Sequence, residues 1–332
     1  MSGRETILIT GALGQDGSLL TEYLLGLGHE VIGIVRELTD TSVAAPVGAR
    51  LMRADLADEA ATQTLLSAVR PDQIYHLAAV HHATQELSPN FRVDVCRDML
   101  KMNFLATRSL ALAMLEICPQ ARLVFAASSQ MYSAGSAIPG ACLEVDETTR
   151  RDPLTFYGHS KSWSADLLAY LRREAGLHAS SAILFNHESP RRRPQFVTRR
   201  ITRMAAAAAS RGSARGSKLE LMNIGARVDW SSAGDVVRAL HLMAQAGLAE
   251  DYVVASGSLH TVRDVLEAAF RQVGLDWREH VAFQQDALTA ALVGRPEKIE
   301  RVLGWRRLTG FEQMITEMVD SDLRQFSRDA LG

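Results

Sequence analysis

A chain of 332 residues, 47% hydrophobic and 22% charged, can bury a sizeable core and has room for more than one domain. A formal net charge of −2 excludes a surface built throughout for nucleic acid, and no apolar run reaches the length of a membrane span. Three widely spaced cysteines (Cys96, Cys118, Cys142) form no CxxC pair, which fits a reducing, cytoplasmic setting better than a disulfide framework.

The first strand pattern covers 6–10, so close to the first residue that a signal peptide has no room. It runs into a glycine-spaced turn of Gly11, Gly14, Gln15, Asp16 and Gly17, and then into an amphipathic stretch over 18–27. Short apolar runs over 31–35, 73–77, 123–126 and 181–184 alternate with helical periodicity over 60–69, 99–117 and 157–175. This alternation predicts an α/β fold with a doubly wound parallel sheet of Rossmann type. After residue 184 the pattern loses its regularity, and one more strand over 251–254 is expected to return to the sheet. The expected domains are 1–185 with about 229–257 for the dinucleotide, and about 186–228 with 258–332 as a smaller, discontinuous substrate lobe.

The turn between first strand and first helix allows a tight bend and close approach of a pyrophosphate, with the helix N-terminus supplying N–H donors. The second strand ends in Gly33-Ile34-Val35-Arg36, with a cation where an acid would hold a ribose 2′-hydroxyl. A guanidinium suits a 2′-phosphate, so NADP is expected over NAD. Tyr157 and Lys161 stand four residues apart, on one face of a helix. An ammonium there is expected to lower the phenol pKa, so that Tyr157 serves as acid or base near neutral pH. They come about 30 residues after the strand over 123–126, which leads into Ser128-Ser129.

That order resembles the extended short-chain dehydrogenase/reductases. Within them, the opening Ile9-Thr-Gly-Ala-Leu-Gly-Gln-Asp-Gly-Ser18 and the segment Leu184-Phe-Asn-His-Glu-Ser-Pro-Arg-Arg192, followed by Phe196-Val-Thr-Arg199, resemble the GDP-mannose 4,6-dehydratases. Leu303-Gly-Trp305 matches a landmark near the family's C-terminus. The resemblance implies a nucleotide-diphosphate sugar substrate, GDP-linked by preference, oxidised or reduced at C4. Tyr157 would take the C4 hydroxyl proton, Ser128 would hydrogen-bond the same oxygen, and Lys161 would hold the nicotinamide ribose and tune Tyr157. Asp55, Leu56, Ala78 and Ala79 match the family's adenine- and phosphate-side contacts. His81, Asn103, Asn186, Arg192, Val197, Arg200 and Arg227 fall at positions that would line the substrate pocket.

Two departures bear on the reaction. Where the dehydratases carry Ser-Thr-Ser-Glu-Leu-Tyr, this chain has Ala127-Ser128-Ser129-Gln130-Met131-Tyr132. Gln130 thus replaces the Glu that removes the C5 proton before water leaves C6, and an amide has no useful basicity. His81 or His82, where the family has a Ser-His pair, is the alternative base. The family's Arg-Pro…Glu nucleotide clamp reads here Gln285-Asp286…Leu288, and Arg227-Val228-Asp229-Trp230 displaces the Arg that precedes Asp-Trp. The identity of sugar and base stays open.

Eight arginines and no acids fall between Arg191 and Arg215. Without interleaved aromatics they fit a sugar-nucleotide diphosphate better than nucleic acid. His81-His82 and His187-Glu188 lack metal-ligand spacing, so no metal is expected. The helices over 99–117 and 157–175 are apolar on more than one face, and in similar enzymes they form a dimer interface; a homodimer or homotetramer is expected. The rival readings are a 4-ketoreductase, 4-dehydrogenase or epimerase, and a non-catalytic NADP-binding sensor or scaffold. An intact Ser–Tyr–Lys set argues against the last.

Overall fold

The side chains of β1 (Thr6–Thr10) divide by alternation between two cores, as a strand buried on both faces must. Leu8 joins one core, and Ile7 and Ile9 join the other. The computed structural model describes residues 3–36, 46–80, 93–135, 140–211 and 217–329. In it β1 lies between β2 (Glu30–Val35) and β4 (Gln73–His76), in a seven-stranded sheet whose pairings are all parallel. β3 (Arg50–Arg53) forms one edge beyond β2. Beyond β4 come β5 (Arg122–Ser128), β7 (Ala179–Leu184) and β11 (Tyr252–Val254). β6 (Cys142–Val145) lies outside this sheet.

Helices cover both faces. Leu65 and Leu66 of α2 (Glu59–Val69), Leu110 and Met114 of α4 (Ala106–Ile117), and Leu168 of α5 (Phe156–Ala175) close one core. Leu20 and Leu24 of α1 (Gln15–Gly26), Val236 and Leu240 of α7 (Ala233–Gln245), and Ile299 of α9 (Glu297–Leu303) close the other. Full burial of each such side chain contributes about 1.5–3 kcal/mol. The expected doubly wound sheet is therefore present, and the strand at 252–254 pairs with β7 as anticipated.

Two elements differ from the sequence reading. β3 has no apolar run and is only partly buried, because an edge strand packs on one side. The expected helix over 99–117 is three segments: α3 (Val93–Met99), a π-helical turn over Leu100–Leu105, and α4. A π turn inserts extra backbone into a helix and rotates the residues beyond it.

A third core lies away from the sheet. Ile201 of α6 (Val197–Arg211), Leu221 of β9 (Leu219–Asn223) and Trp230 of β10 (Arg227–Ser232) pack there. Leu266 of α8 (Val262–Gln272) and Ile315 of α10 (Phe311–Asp329) complete it. The strand β8 (Asn186–Glu188) comes one residue after β7 and pairs with β10, so the chain passes directly from the large sheet to the second assembly. β12 (Leu259–Thr261) flanks β10 on its other side, antiparallel, and β14 (Ala291–Gly294) pairs in parallel with β6.

Candidate active site

A cleft of about 970 Å³ opens at the C-terminal ends of the parallel strands, where the order reverses about β1. Gly11, Gly14, Gln15, Asp16 and Gly17 form one wall. Gly11 has φ +70°, and a side chain there would press on the main chain of Ala78. A side chain on Gly17 would strike the Gly11 carbonyl. Helix α1 starts from Gly14 with no side-chain cap, so no capping side chain takes the N–H donors of its first turn, beside a bend that needs glycine at positions 11 and 17. This is the cradle a pyrophosphate needs. Ala79 lines the cleft, and Ala78 N–H donates to Thr10 Oγ1 at 3.1 Å, which fixes the backbone beside the turn.

The floor carries Ser128, Gln130, Tyr157 and Lys161. Ser128 closes β5, while Tyr157 and Lys161 stand on the first turns of α5, capped by Thr155. Lys161 is 1% exposed; its Nζ donates to the Ala126 carbonyl at 2.7 Å and lies 5.9 Å from the centre of the Tyr157 ring. Burial pushes Lys161 down to about 7. Burial also pushes Tyr157 up to about 12, against the Ser128 hydrogen bond and the Arg192 charge, both of which pull it down. The expected net lowering of the phenol by Lys161 is thus corrected. Desolvation outweighs the neighbouring charges, and the same desolvation weakens the ammonium that was to supply one of them.

Gln130 borders the floor, and its Oε1 accepts from Thr155 Oγ1 at 3.3 Å. Gly158 lets α5 pass close to the Gln130 carbonyl, a contact any side chain would block. Tyr132 is buried and its phenol raised, chiefly by desolvation.

The opposite wall comes from the segment after β7. Asn186, Arg192, Val197 and Arg200 all line the cleft. Arg192 stacks on Phe196, 3.5 Å from the ring centre, and lies 3.2 Å from the buried carboxylate of Glu188. Arg200 Nη2 donates to the Glu220 carbonyl at 2.8 Å.

Other expected site residues lie elsewhere. Asn103 is fully buried in the π turn; its amide clasps Val80 N and O at 2.9 and 3.1 Å and donates to Ser160 at 3.1 Å. Arg227 donates to the carbonyls of Gly140, Ala141 and Thr289, and neither Asn103 nor Arg227 lines the cleft. Asp55 is ion-paired with Lys101 at 2.7 Å, and Leu56 is in the core. The Lys101 hydrogen bond does most to hold the Asp55 carboxyl below its usual range. Arg36, exposed just past β2, adds a smaller pull in the same direction. His81 and His82 lie outside the described residues. Among those described, no group of three or more His, Cys, Asp or Glu could hold a metal, and no helix is long and apolar enough to cross a membrane.

Several residues went unread in the sequence. Arg53 pairs with Val35 in the β2–β3 register, and its Nε donates to the Arg36 carbonyl at 3.0 Å, so two guanidinium-bearing residues meet at this strand end. Glu220, Met222 and Gln284 also line the cleft, beside Arg193, Phe196 and His187, which the sequence offers only within longer segments. The alternation of β9 could have flagged Glu220 and Met222 as sharing a face.

A sequence profile described as GDP-mannose 4,6 dehydratase matches residues 8–318. The chain belongs to the GDP-mannose 4,6-dehydratase family. GDP-mannose 4,6 dehydratase 2 of Arabidopsis thaliana is 36% identical over 343 residues, covering 98% of this chain and 89% of that protein. Among solved structures, the UDP-glucose 4-epimerase of Thermus thermophilus in complex with NAD superposes with a TM-score of 0.78 at 25% identity, covering 96% of this chain and 98% of that one. RMD from Pseudomonas aeruginosa complexed with NADPH gives 0.76 at 20% identity, covering 97% and 100%. The chain is a nucleotide-sugar-modifying enzyme with the fold of the short-chain dehydrogenase/reductases, as its sequence led us to expect.

Proposed function

We propose that this enzyme uses NADP to transfer a hydride at C4 of a GDP-linked hexose and releases little or no water. The observation that carries the reading is the cleft floor, where Ser128, Tyr157 and Lys161 gather beside the amide of Gln130. Among the described residues, the carboxylates lining the cleft are Asp16, bonded to His187, and Glu220 on β9.

When bound, the nicotinamide accepts or returns the C4 hydride. Tyr157 exchanges the proton of the C4 hydroxyl, and Ser128 holds the same oxygen. A phenol at about 12 holds its proton at neutral pH and is a weak acid; to act as base it needs additional positive charge beside it. Lys161 would hold the nicotinamide ribose, and the wall from Asn186 to Arg200 would hold the diphosphate. Arg36 and Arg53 together suit a 2′-phosphate, which supports NADP.

The preference for guanine is supported by one strand face. β9 pairs in parallel with β13 (Val281–Gln285), with Glu220 opposite Ala282. By alternation Glu220 and Met222 share a face, and both line the cleft together with Gln284. A carboxylate matches the two adjacent donors on guanine's edge, whereas uracil and thymine offer one donor flanked by acceptors.

The division into a dinucleotide-binding domain, 1–185 with about 229–257, and a substrate-binding lobe, about 186–228 with 258–332, belongs to the same reading. So does a homodimer or homotetramer, supported by α5, where Trp163 is 41% exposed amid Phe104, Phe156 and His159. Three free thiols suit the cytoplasm. The test is incubation with GDP-, UDP-, CDP- and dTDP-hexoses under both redox states of the cofactor, reading product masses. A two-hydrogen change on a GDP-hexose is expected. An unchanged cofactor across the panel would favour the sensor reading.

A further inference from the structure

Gln15 and Asp16 begin α1 directly after the glycine turn, yet their side chains cross the cleft to the opposite wall. Gln15 Nε2 donates to the His187 carbonyl at 3.1 Å, and Ser189 Oγ donates to Gln15 Oε1 at 2.9 Å. His187 Nε2 lies 2.9 Å from the Asp16 carboxylate, and its Nδ1 lies 2.7 Å from the Phe185 carbonyl. Gln15 Nε2 also donates to the other Asp16 oxygen at 3.1 Å. Both ring nitrogens of His187 thus face acceptors, the arrangement an imidazolium satisfies and a neutral ring does not.

The charges support that state. Burial opposes ionisation of both groups, yet Asp16 is held below its usual range and His187 above its own, because each provides the other's counter-charge and hydrogen bond. Arg192 and Glu188 are the other charged groups facing the pair, and Tyr157 feels the Asp16 charge. His187 itself is fixed in β8 opposite Ser231 of β10.

One ion pair therefore ties the turn that would receive the cofactor phosphates to the strand that leads into Arg192 and the sugar-nucleotide wall. We propose that the Asp16–His187 pair is a positioning latch through which cofactor and nucleotide sugar strengthen each other's binding. The proposal rests on the two-ligand reading of the cleft. A ligand that seats the glycine turn fixes Asp16, which fixes His187 and so the β8 wall, and a ligand on the wall acts in reverse. Linkage requires the two effects to be equal.

The experiment measures the dissociation constant of NADP with and without saturating GDP, and of GDP with and without NADP, by calorimetry. In the unmutated protein each ligand is expected to tighten the other about tenfold, within the usual range of coupling between sites. In Asp16→Asn and in His187→Gln the coupling factor is expected to fall to near one, with the double variant no different from either single one. A structural role alone would weaken both ligands and leave their coupling intact. That result, or independent binding in the unmutated protein, overturns the latch. Nitrogen NMR of His187 gives a second reading that needs no ligand. Both ring nitrogens should carry protons at pH 7 in the unmutated protein, and one should lose its proton in Asp16→Asn; a neutral ring in the unmutated protein also overturns it. Should GDP fail to bind, the guanine assignment falls, and the same titration with UDP, dTDP or CDP reads the coupling.

Discussion

The Lys161 ammonium donates to the main-chain oxygen of Ala126 at 2.7 Å, inside the protein and under the Tyr157 ring. That acceptor does not replace the hydration lost, so its pKa falls from 10.5 to about 7. Between those values the unfolded chain holds a proton that the folded protein has released, so stability rises with pH across that window. Thermal melts without ligand, from pH 7 to 9.5, should show this rise, and Lys161→Met should flatten it. Parallel curves for the two proteins would show that Lys161 is not desolvated.

Tyr157→Phe removes the proton-transfer group and leaves the ring. Its cofactor affinity should stay within about threefold of the parent, while turnover falls by about 10²–10⁴. Steady-state rates with the accepted sugar nucleotide, beside a cofactor titration, provide the check. Turnover within a few-fold of the parent would remove Tyr157 from the mechanism.

Cofactor choice should reside in Arg36 and Arg53 together. Each substitution by Ala should weaken NADP about tenfold, the scale of one charge-assisted hydrogen bond, and leave NAD nearly unchanged. Equal affinity of the unmutated protein for NADP and NAD would defeat the assignment.

Glu220→Gln keeps the side chain's shape and exchanges an acceptor for a donor. GDP affinity should fall about tenfold while UDP affinity holds or rises, as competition binding would show. An equal loss for both nucleotides would detach Glu220 from the base.

How far the sequence could be read depends on how local each feature is. The glycine turn and the Ser128, Tyr157 and Lys161 pattern were legible because spacing along a strand end or helix turn decides them. Arg53 escaped because an edge strand of four partly exposed residues, Arg-Leu-Met-Arg, has no periodic signal. Gln15 and Asp16 meet Ser189 and His187 across more than 170 positions, so only the closed fold reveals that these turn residues face the opposite wall. The resemblance points Asn103 to the pocket, but it stands on a π turn with its side chain buried. The direction of the Tyr157 shift is hidden from the sequence for a related reason. Spacing locates a charge, whereas desolvation depends on everything packed around it.

Gln130 is where a test can separate two chemistries on this scaffold. Once C4 is a ketone the C5 proton becomes acidic, and elimination of water from C6 then needs a base at C5. Gln130 can hydrogen-bond a substrate, as it does Thr155, but it cannot accept that proton. Tyr132 is a poor replacement, since burial raises its phenol. The unmutated enzyme is therefore expected to give C4 redox products of unchanged oxygen content. Gln130→Glu should raise 4,6-elimination, visible as a product lighter by about 18 Da, with gains on the scale of a general base, about 10²–10⁴. Gln130→Ala should not, which separates basicity from mere loss of the amide. Efficient water loss by the unmutated protein would sink the argument and direct attention to His81 and His82.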